Sequence, residues 1–423
     1  MTDERYDVVV VGGGPGGSCT ATFLAAAGLR VGLFEREVFP RFHVGESLMP
    51  ATMLILDQLG VREAVEAAAF QTKYGACFVD ESSGAEQTFY FLPDRPWPDY
   101  TYQVPRAEFD TILLEHARRR GVEVRQPATV EAVAFDADGV SIDVAQDGAA
   151  RAVRAAMLVD ASGRDSFLAS RIGRRTRIAN LGKVALFAHF RGAARRAGKE
   201  EGNIRVYVLD EGWFWWIPLA GDLTSVGSVL HARTVRAARM PMDGLYAEML
   251  RRSPRVAEDL AGATRVTPVH RTSNFAYVNA PVVGDRFVSV GDAVTFVDPI
   301  FSGGVFIAMR SGQLAAQAII EAFRARDFRR RRFAAYERAV RRGTAPLFRF
   351  IHKYYEPAFF ELLMNPKHVF GIYAAVLHVL SGGAFFAMPW RTRLSLQMLY
   401  AIAHINRWIR RRADRPIESR LEW

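Results

Sequence analysis

Gly12, Gly14 and Gly17 stand in the spacing G-x-G-x-x-G, directly after the apolar run Tyr6-Asp-Val-Val-Val-Val11. Such a loop binds the diphosphate of a dinucleotide. The first glycine permits a tight turn, the second lets phosphate approach the backbone, and the third lets helix and strand touch. The helix that follows presents free N–H groups and a partial positive charge. Glu35 lies at the end of the next β-rich run, where a carboxylate accepts the hydroxyls of a ribose. A second loop, Phe296-x-x-Pro299-x-x-Ser302-x-Gly304, leads into another helical run. Unsatisfied N–H groups at such a helix start can hold a small anion.

These loops need a scaffold, and the hydrophobic pattern supplies one. Residues 6–11 read as a strand buried on both faces, 18–27 as an alanine-rich helix ending at Gly28, and 29–35 as a second strand. Together they form a βαβ unit of the usual size. Residues 102–104, 122–125, 158–160 and 287–290 read as further core strands, 110–121 and 304–324 as helices, and 129–145 as a hairpin. Strong alternation over 183–232 predicts a β-sheet that floors a pocket. The fold class is therefore α/β, Rossmann-type, with a β-sheet substrate part at about 183–280 inside a unit spanning 1–343. Residues 344–423 are predicted to form a helical appendage.

The chain has 423 residues, half of them hydrophobic, so it can bury a large core and is not a disordered tether. Two cysteines, Cys19 and Cys77, exclude a disulfide framework and a structural zinc site, and the expectation is a reducing, cytoplasmic setting with no metal. Net charge is +10, with arginine runs at 118–120, 329–332 and 410–412. These runs are scattered rather than interleaved with aromatics on one element. They predict solvated helix faces and no nucleic-acid partner.

Three further segments resemble the group A flavin monooxygenases. They are Val104-Pro-Arg106-Ala-Glu-Phe-Asp110, Asp160-Ala-Ser-Gly163 and Gly291-Asp292, joined by Arg41-x-His43-x-Gly45-Glu46-Ser47. The resemblance implies FAD as cofactor. It places Gly12, Gly14, Gly17, Glu35, Arg36, Ser47, Arg106, Asp292, Pro299 and Gly304 against it. His43 reads as a satisfied structural histidine. One dinucleotide fingerprint without a second implies that a separate flavin reductase delivers FADH2, or that a nicotinamide cofactor binds transiently.

Trp213-x-Trp215-x-Ile217-Pro218 resembles the W-x-W-x-I-P motif of flavin-dependent halogenases. There the segment lies beside the flavin and obstructs direct hydroxylation of substrate. The loop Phe296 to Gly304 resembles a second halogenase motif, which implies halide binding by the N–H groups of Gly303 and Gly304. The sequence departs from that motif at Gly303, where serine or threonine is usual. Lys73, in Phe70-x-x-Lys73-x-Gly75, resembles the family's essential lysine. The implied chemistry runs from FADH2 and O2 through a flavin C4a-hydroperoxide. Halide is oxidised to hypohalous acid, which meets Lys73 and then chlorinates or brominates an electron-rich ring. Phe301 stands where tryptophan halogenases place a glutamate. That points to the branch acting on phenols or pyrroles, often tethered to a carrier protein. Two other activities share parts of the pattern: an aromatic hydroxylase, favoured by Gly303, and a geranylgeranyl-reductase-like flavoprotein.

Residues 369–388 form an apolar run about as long as a membrane span, but Ser381-Gly-Gly383 splits it. The expectation is a helix pair, with 394–408 as its second member, buried against the flavin domain and needing no detergent. Peripheral membrane contact through these helices is the other possibility.

Overall fold

The computed structural model describes residues 4–412 other than 94, 179–181, 274–275, 297 and 367–369. Position 369 of the apolar run and the side chains of 410–412 therefore lie outside the described residues. The dinucleotide half is a sheet of eight strands. Its parallel centre runs Phe287–Ser289, Ala149–Asp160, Glu4–Val11, Val31–Phe34, Glu123–Arg125. Val8, Val9 and Val10 are fully buried, as expected of a β-branched run covered on both faces. The strand read at 158–160 is the end of a longer one, whose first half pairs with Val140–Gln146 as an antiparallel flap.

Helix α1 (Pro15–Ala26) begins with proline at its first position, where the missing N–H is harmless. Helix α2 (Arg106–Arg119) starts four residues before the predicted boundary, so Arg106 opens it. Helix α3 (Gly304–Ala325) crosses α1 closely. A Cβ on Gly312 would stand 2.8 Å from the Gly16 carbonyl. This tight crossing brings the start of α3 beside the start of α1, and so joins the two glycine loops.

The second sheet also has eight strands and includes Lys183–Arg191, Leu223–His231, Gly212–Pro218 and Ile204–Leu209. It extends beyond the range read from sequence. Gly75–Asp80 and Glu86–Tyr90 complete one edge, Gly75–Asp80 being parallel to Ile204–Leu209. Helix α4 (Ala334–Tyr354) runs straight through position 344, so the change of composition there falls inside an element. Helices α5 (Pro357–Met364) and α6 (Ile372–Leu380) follow, then α7 (Trp390–Arg412).

The expectation of a buried helix pair holds for α6 and, on one face only, for α7. α6 is largely buried, and the run ends at Gly382, whose φ of +95° stops the helix. α7 packs through Leu396, Leu399, Tyr400 and Ala403. Its opposite side leaves Trp390, Leu394, Ile405 and Trp408 exposed. Among the described residues, no helix is long and apolar enough to cross a membrane.

Candidate active site

A cavity of about 680 Å³ runs between the two sheets, within the usual range for ligand sites. Gly12, Gly14, Glu35 and Arg36 line one end. Arg106, Asp292, Pro299, Gly303 and Gly304 line the middle, and Trp213, Trp215, Ile217, Phe301, Leu347 and Ile351 the far side. Most residues predicted for the cofactor thus share one cavity. Gly17 and Pro218 back it without lining it.

The glycine loop is built as its spacing requires. Gly12 has φ +103°, and a Cβ there would meet the Ala161 carbonyl at 2.5 Å. A Cβ on Gly17 would stand 1.9 Å from the Gly12 carbonyl oxygen. Gly14 is different: its added Cβ would meet only the tip of Arg41, at 3.3 Å, so this face opens to the cavity. Glu35 accepts N–H bonds from Gly13 (2.6 Å) and Glu37 (2.9 Å), which fixes the carboxylate at the cavity wall. Arg36 is ion-paired with Asp165 at the surface edge.

Arg106 holds Asp110 with two bonds of 2.7 and 2.8 Å and donates to the Val44 carbonyl at 2.7 Å. It therefore anchors the segment carrying Gly45, Glu46 and Ser47 while bordering the cavity. His43 contacts the Val44 carbonyl at 2.7 Å, and burial depresses its pKa to about 4, so the neutral ring donates there. Asp292 faces the cavity, and loss of hydration raises its carboxyl to about 7 despite Arg164 and Arg106. A cradle of open glycine, fixed carboxylates and cationic Arg41 fits an extended dinucleotide.

Lys73 is only 3% exposed. Its Nζ donates to Ser47 Oγ at 2.8 Å and to the Leu48 carbonyl at 3.0 Å. Backbone ladders set this meeting: Lys73 pairs with Thr101, Ser47 bridges to Gln103, and Val104 N–H donates to Glu46 O at 2.7 Å. Ser47 lines the cavity and Lys73 does not, so the amine stands one hydroxyl behind the wall. Desolvation lowers the ammonium to about 7, since no carboxylate offsets its burial.

In the Gly212–Pro218 strand, side chains alternate. Trp213, Trp215 and Ile217 face the cavity side, and Phe214 and Trp216 fill the core behind the sheet. Both cavity-side indoles are held by their N–H groups, Trp213 on Tyr355 Oη and Trp215 on Ser225 Oγ, each at 3.1 Å. Opposite Trp215 lies Gly227, and a Cβ there would stand 2.2 Å from the indole. Gly227, Ser225 and Tyr355 were missed in the sequence. Only the glycine carried a signal, as an isolated one inside a strand.

The loop leading into α3 is equally constrained. Asp298 accepts from Ile300 N–H at 3.1 Å and pairs with buried Lys183 at 3.2 Å, a contact with no sequence signature. Ser302 has φ +58°, which turns the chain into α3. Gly303 has a spatial reason. A Cβ there would stand 2.8 Å from Leu347 Cδ2 of α4, so leucine occupies the space a serine needs. Gly303→Ser is expected to lower stability by roughly 1–2 kcal/mol. Leu347→Ala should lessen that loss in a double-mutant cycle read by thermal denaturation. Additive losses would show that the two side chains do not compete for space.

Residues 5–344 match the family model described as an FAD binding domain. The chain is 35% identical over 382 residues to 1H-pyrrole-2-carbonyl-[peptidyl-carrier protein] chlorinase of Pseudomonas fluorescens, covering 84% of each. It is 33% identical to the corresponding brominase of Pseudoalteromonas luteoviolacea, covering 92% of this chain and 94% of that one. The solved flavin-dependent brominase Bmp2 superposes with a TM-score of 0.85 at 30% identity, over 96% of this chain and all (100%) of that one. The myxobacterial chondrochloren halogenase CndH gives 0.80 at 31%, over 96% and 97%. The fingerprint, the tryptophan strand, the buried lysine and these likenesses converge: the chain belongs to the flavin-dependent halogenases, FAD-dependent oxidoreductases of the group A monooxygenase superfamily.

Proposed function

We propose that this protein places chlorine or bromine on an electron-rich aromatic ring, a phenol or pyrrole, presented on a carrier protein. The observation that carries this reading is Lys73, a buried amine with depressed pKa hydrogen-bonded to a serine of the cavity wall. Gly12, Gly14, Glu35, Arg41, Arg106 and Asp292 would hold FAD, with Gly17 closing the turn behind them. When bound as FADH2 it would supply the two electrons that bring O2 to the peroxide level, the oxidant that turns halide into hypohalous acid. The free N–H groups of Gly303 and Gly304 would hold the halide at the start of α3. Trp213 and Trp215 wall off the cavity and keep the ring to be halogenated away from the flavin.

Lys73 then orients hypohalous acid toward the ring. The halogen joins a ring carbon, its hydroxide takes up the proton that carbon releases, and water leaves. Near neutrality the lowered pKa gives Lys73 both forms, so it can donate a hydrogen bond to the leaving hydroxide or accept a proton. Phe301 lines the cavity among Phe78, Phe350 and Tyr354, so position 301 itself brings an apolar ring rather than a carboxylate to a ring cation. Phenols and pyrroles, which support their own positive charge, suit such a site. The two pyrrolyl-carrier relatives favour a tethered substrate.

The test is turnover with a flavin reductase, bromide, and a panel of free and carrier-bound phenols and pyrroles. The expected product carries bromine, seen as an isotopic doublet. A product heavier by one oxygen would instead indicate a hydroxylase, and turnover independent of O2 a reductase.

A further inference from the structure

Helix α7 is two-faced, and the face turned outward is apolar. Trp390 is 69% exposed, Leu394 53%, Ile405 55%, Trp408 50% and Ile409 53%. At 3.6 residues per turn they fall on one arc of the helix, opposite the packed face. Trp390 and Trp408 are about five turns apart, so they share one azimuth at either end of a stripe of about 27 Å. Phe370, 70% exposed, borders this helix, because its carbonyl accepts from Ser395 Oγ at 2.7 Å. Residues 390–412 contain six arginines and no aspartate or glutamate. Arg391 and Arg393 lie at one end, and Arg407 and the 410–412 run at the other.

We propose that α7 seats the enzyme in the plane of an anionic lipid surface. An outward apolar arc with tryptophan at both ends and Arg391 on its flank, beside Trp390, is what an in-plane helix needs. The apolar side chains enter the acyl boundary, the indoles sit at headgroup depth, and guanidinium groups meet lipid phosphates. A second copy of this chain is a poor occupant, since pairing the stripes would set arginine-rich helices against each other. The stripe is also a ridge rather than a groove, because the helix packs onto α5 and α6 through its other side.

The test is co-sedimentation of the full-length holoenzyme with vesicles of phosphatidylglycerol and phosphatidylethanolamine, compared with phosphatidylcholine vesicles. Binding is expected to the anionic vesicles and to weaken with salt. Trp390→Ser/Ile405→Ser/Trp408→Ser should bind at least about tenfold more weakly. Arg391→Gln/Arg393→Gln should lose roughly fivefold per arginine. Both variants should keep their FAD content and thermal midpoint, since these side chains lie outside the core. Absence of vesicle binding, or undiminished binding by the triple variant, overturns the proposal. So does a dimer that the triple variant splits, or an acidic carrier protein held by this stripe while vesicles are ignored.

Discussion

Lys73→Met is expected to abolish halogen transfer, by about a hundredfold or more, while leaving FAD bound and its reoxidation by O2 intact. Lys73 lies behind Ser47 and does not line the cavity. Removing its amine therefore leaves the dinucleotide cradle in place and deletes only the group beyond it. The same variant reports on burial through its pH dependence. Desolvation holds the folded-state pKa at about 7, below the ordinary lysine value of 10.5. Between those values the unfolded chain binds the extra proton, so Lys73 destabilises the native state at low pH, and that penalty fades as pH rises. Lys73→Met should thus raise the thermal midpoint most near pH 6, with the gain shrinking through pH 7 and gone near pH 10.5. A difference flat across this range would mean that the amine is hydrated. The lost bonds to Ser47 and the Leu48 carbonyl subtract a roughly constant 1–2 kcal/mol and do not alter the slope.

Gly17→Ala should unfold or strongly destabilise the protein, by about 3 kcal/mol or more. Its new Cβ would stand 1.9 Å from a backbone carbonyl oxygen that has nowhere to go, because Gly12 is itself pressed against Ala161. Gly14→Ala makes the contrasting case. The added methyl meets only a flexible guanidinium tip, so the apoprotein should keep its stability. FAD affinity should still fall by at least about tenfold, because the methyl stands where the diphosphate approaches the backbone. Thermal denaturation of the apoproteins separates the two, and flavin titration measures the second effect. Equal stability loss in both variants would show that the glycine spacing serves packing alone.

What sequence made legible follows from how local each constraint is. The G-x-G-x-x-G loop, Glu35 and the first βαβ unit rest on spacing and periodicity within about 30 residues, and the structure has them where expected. The tryptophan strand was legible because alternation puts 213, 215 and 217 on one face. The second sheet was only partly read, because Gly75–Asp80 joins it by pairing with a strand some 130 positions later in the chain. The buried pair Lys183–Asp298 and the Tyr355 bond to Trp213 were invisible for the same reason: nothing local in the sequence brings these residues together. α7 was only partly read, because periodicity finds an apolar stripe without saying which side it faces. The helix carries two, and only one is covered.

Halogen transfer turns on an amine one hydroxyl removed from the cavity that would hold FAD. Its most direct test counts brominated product per FADH2 oxidised, in wild type and Lys73→Met side by side, with bromide and the best substrate. The predicted result is bromination by the wild type and none by the variant, at matched rates of flavin oxidation. Equal bromination by both proteins would contradict it.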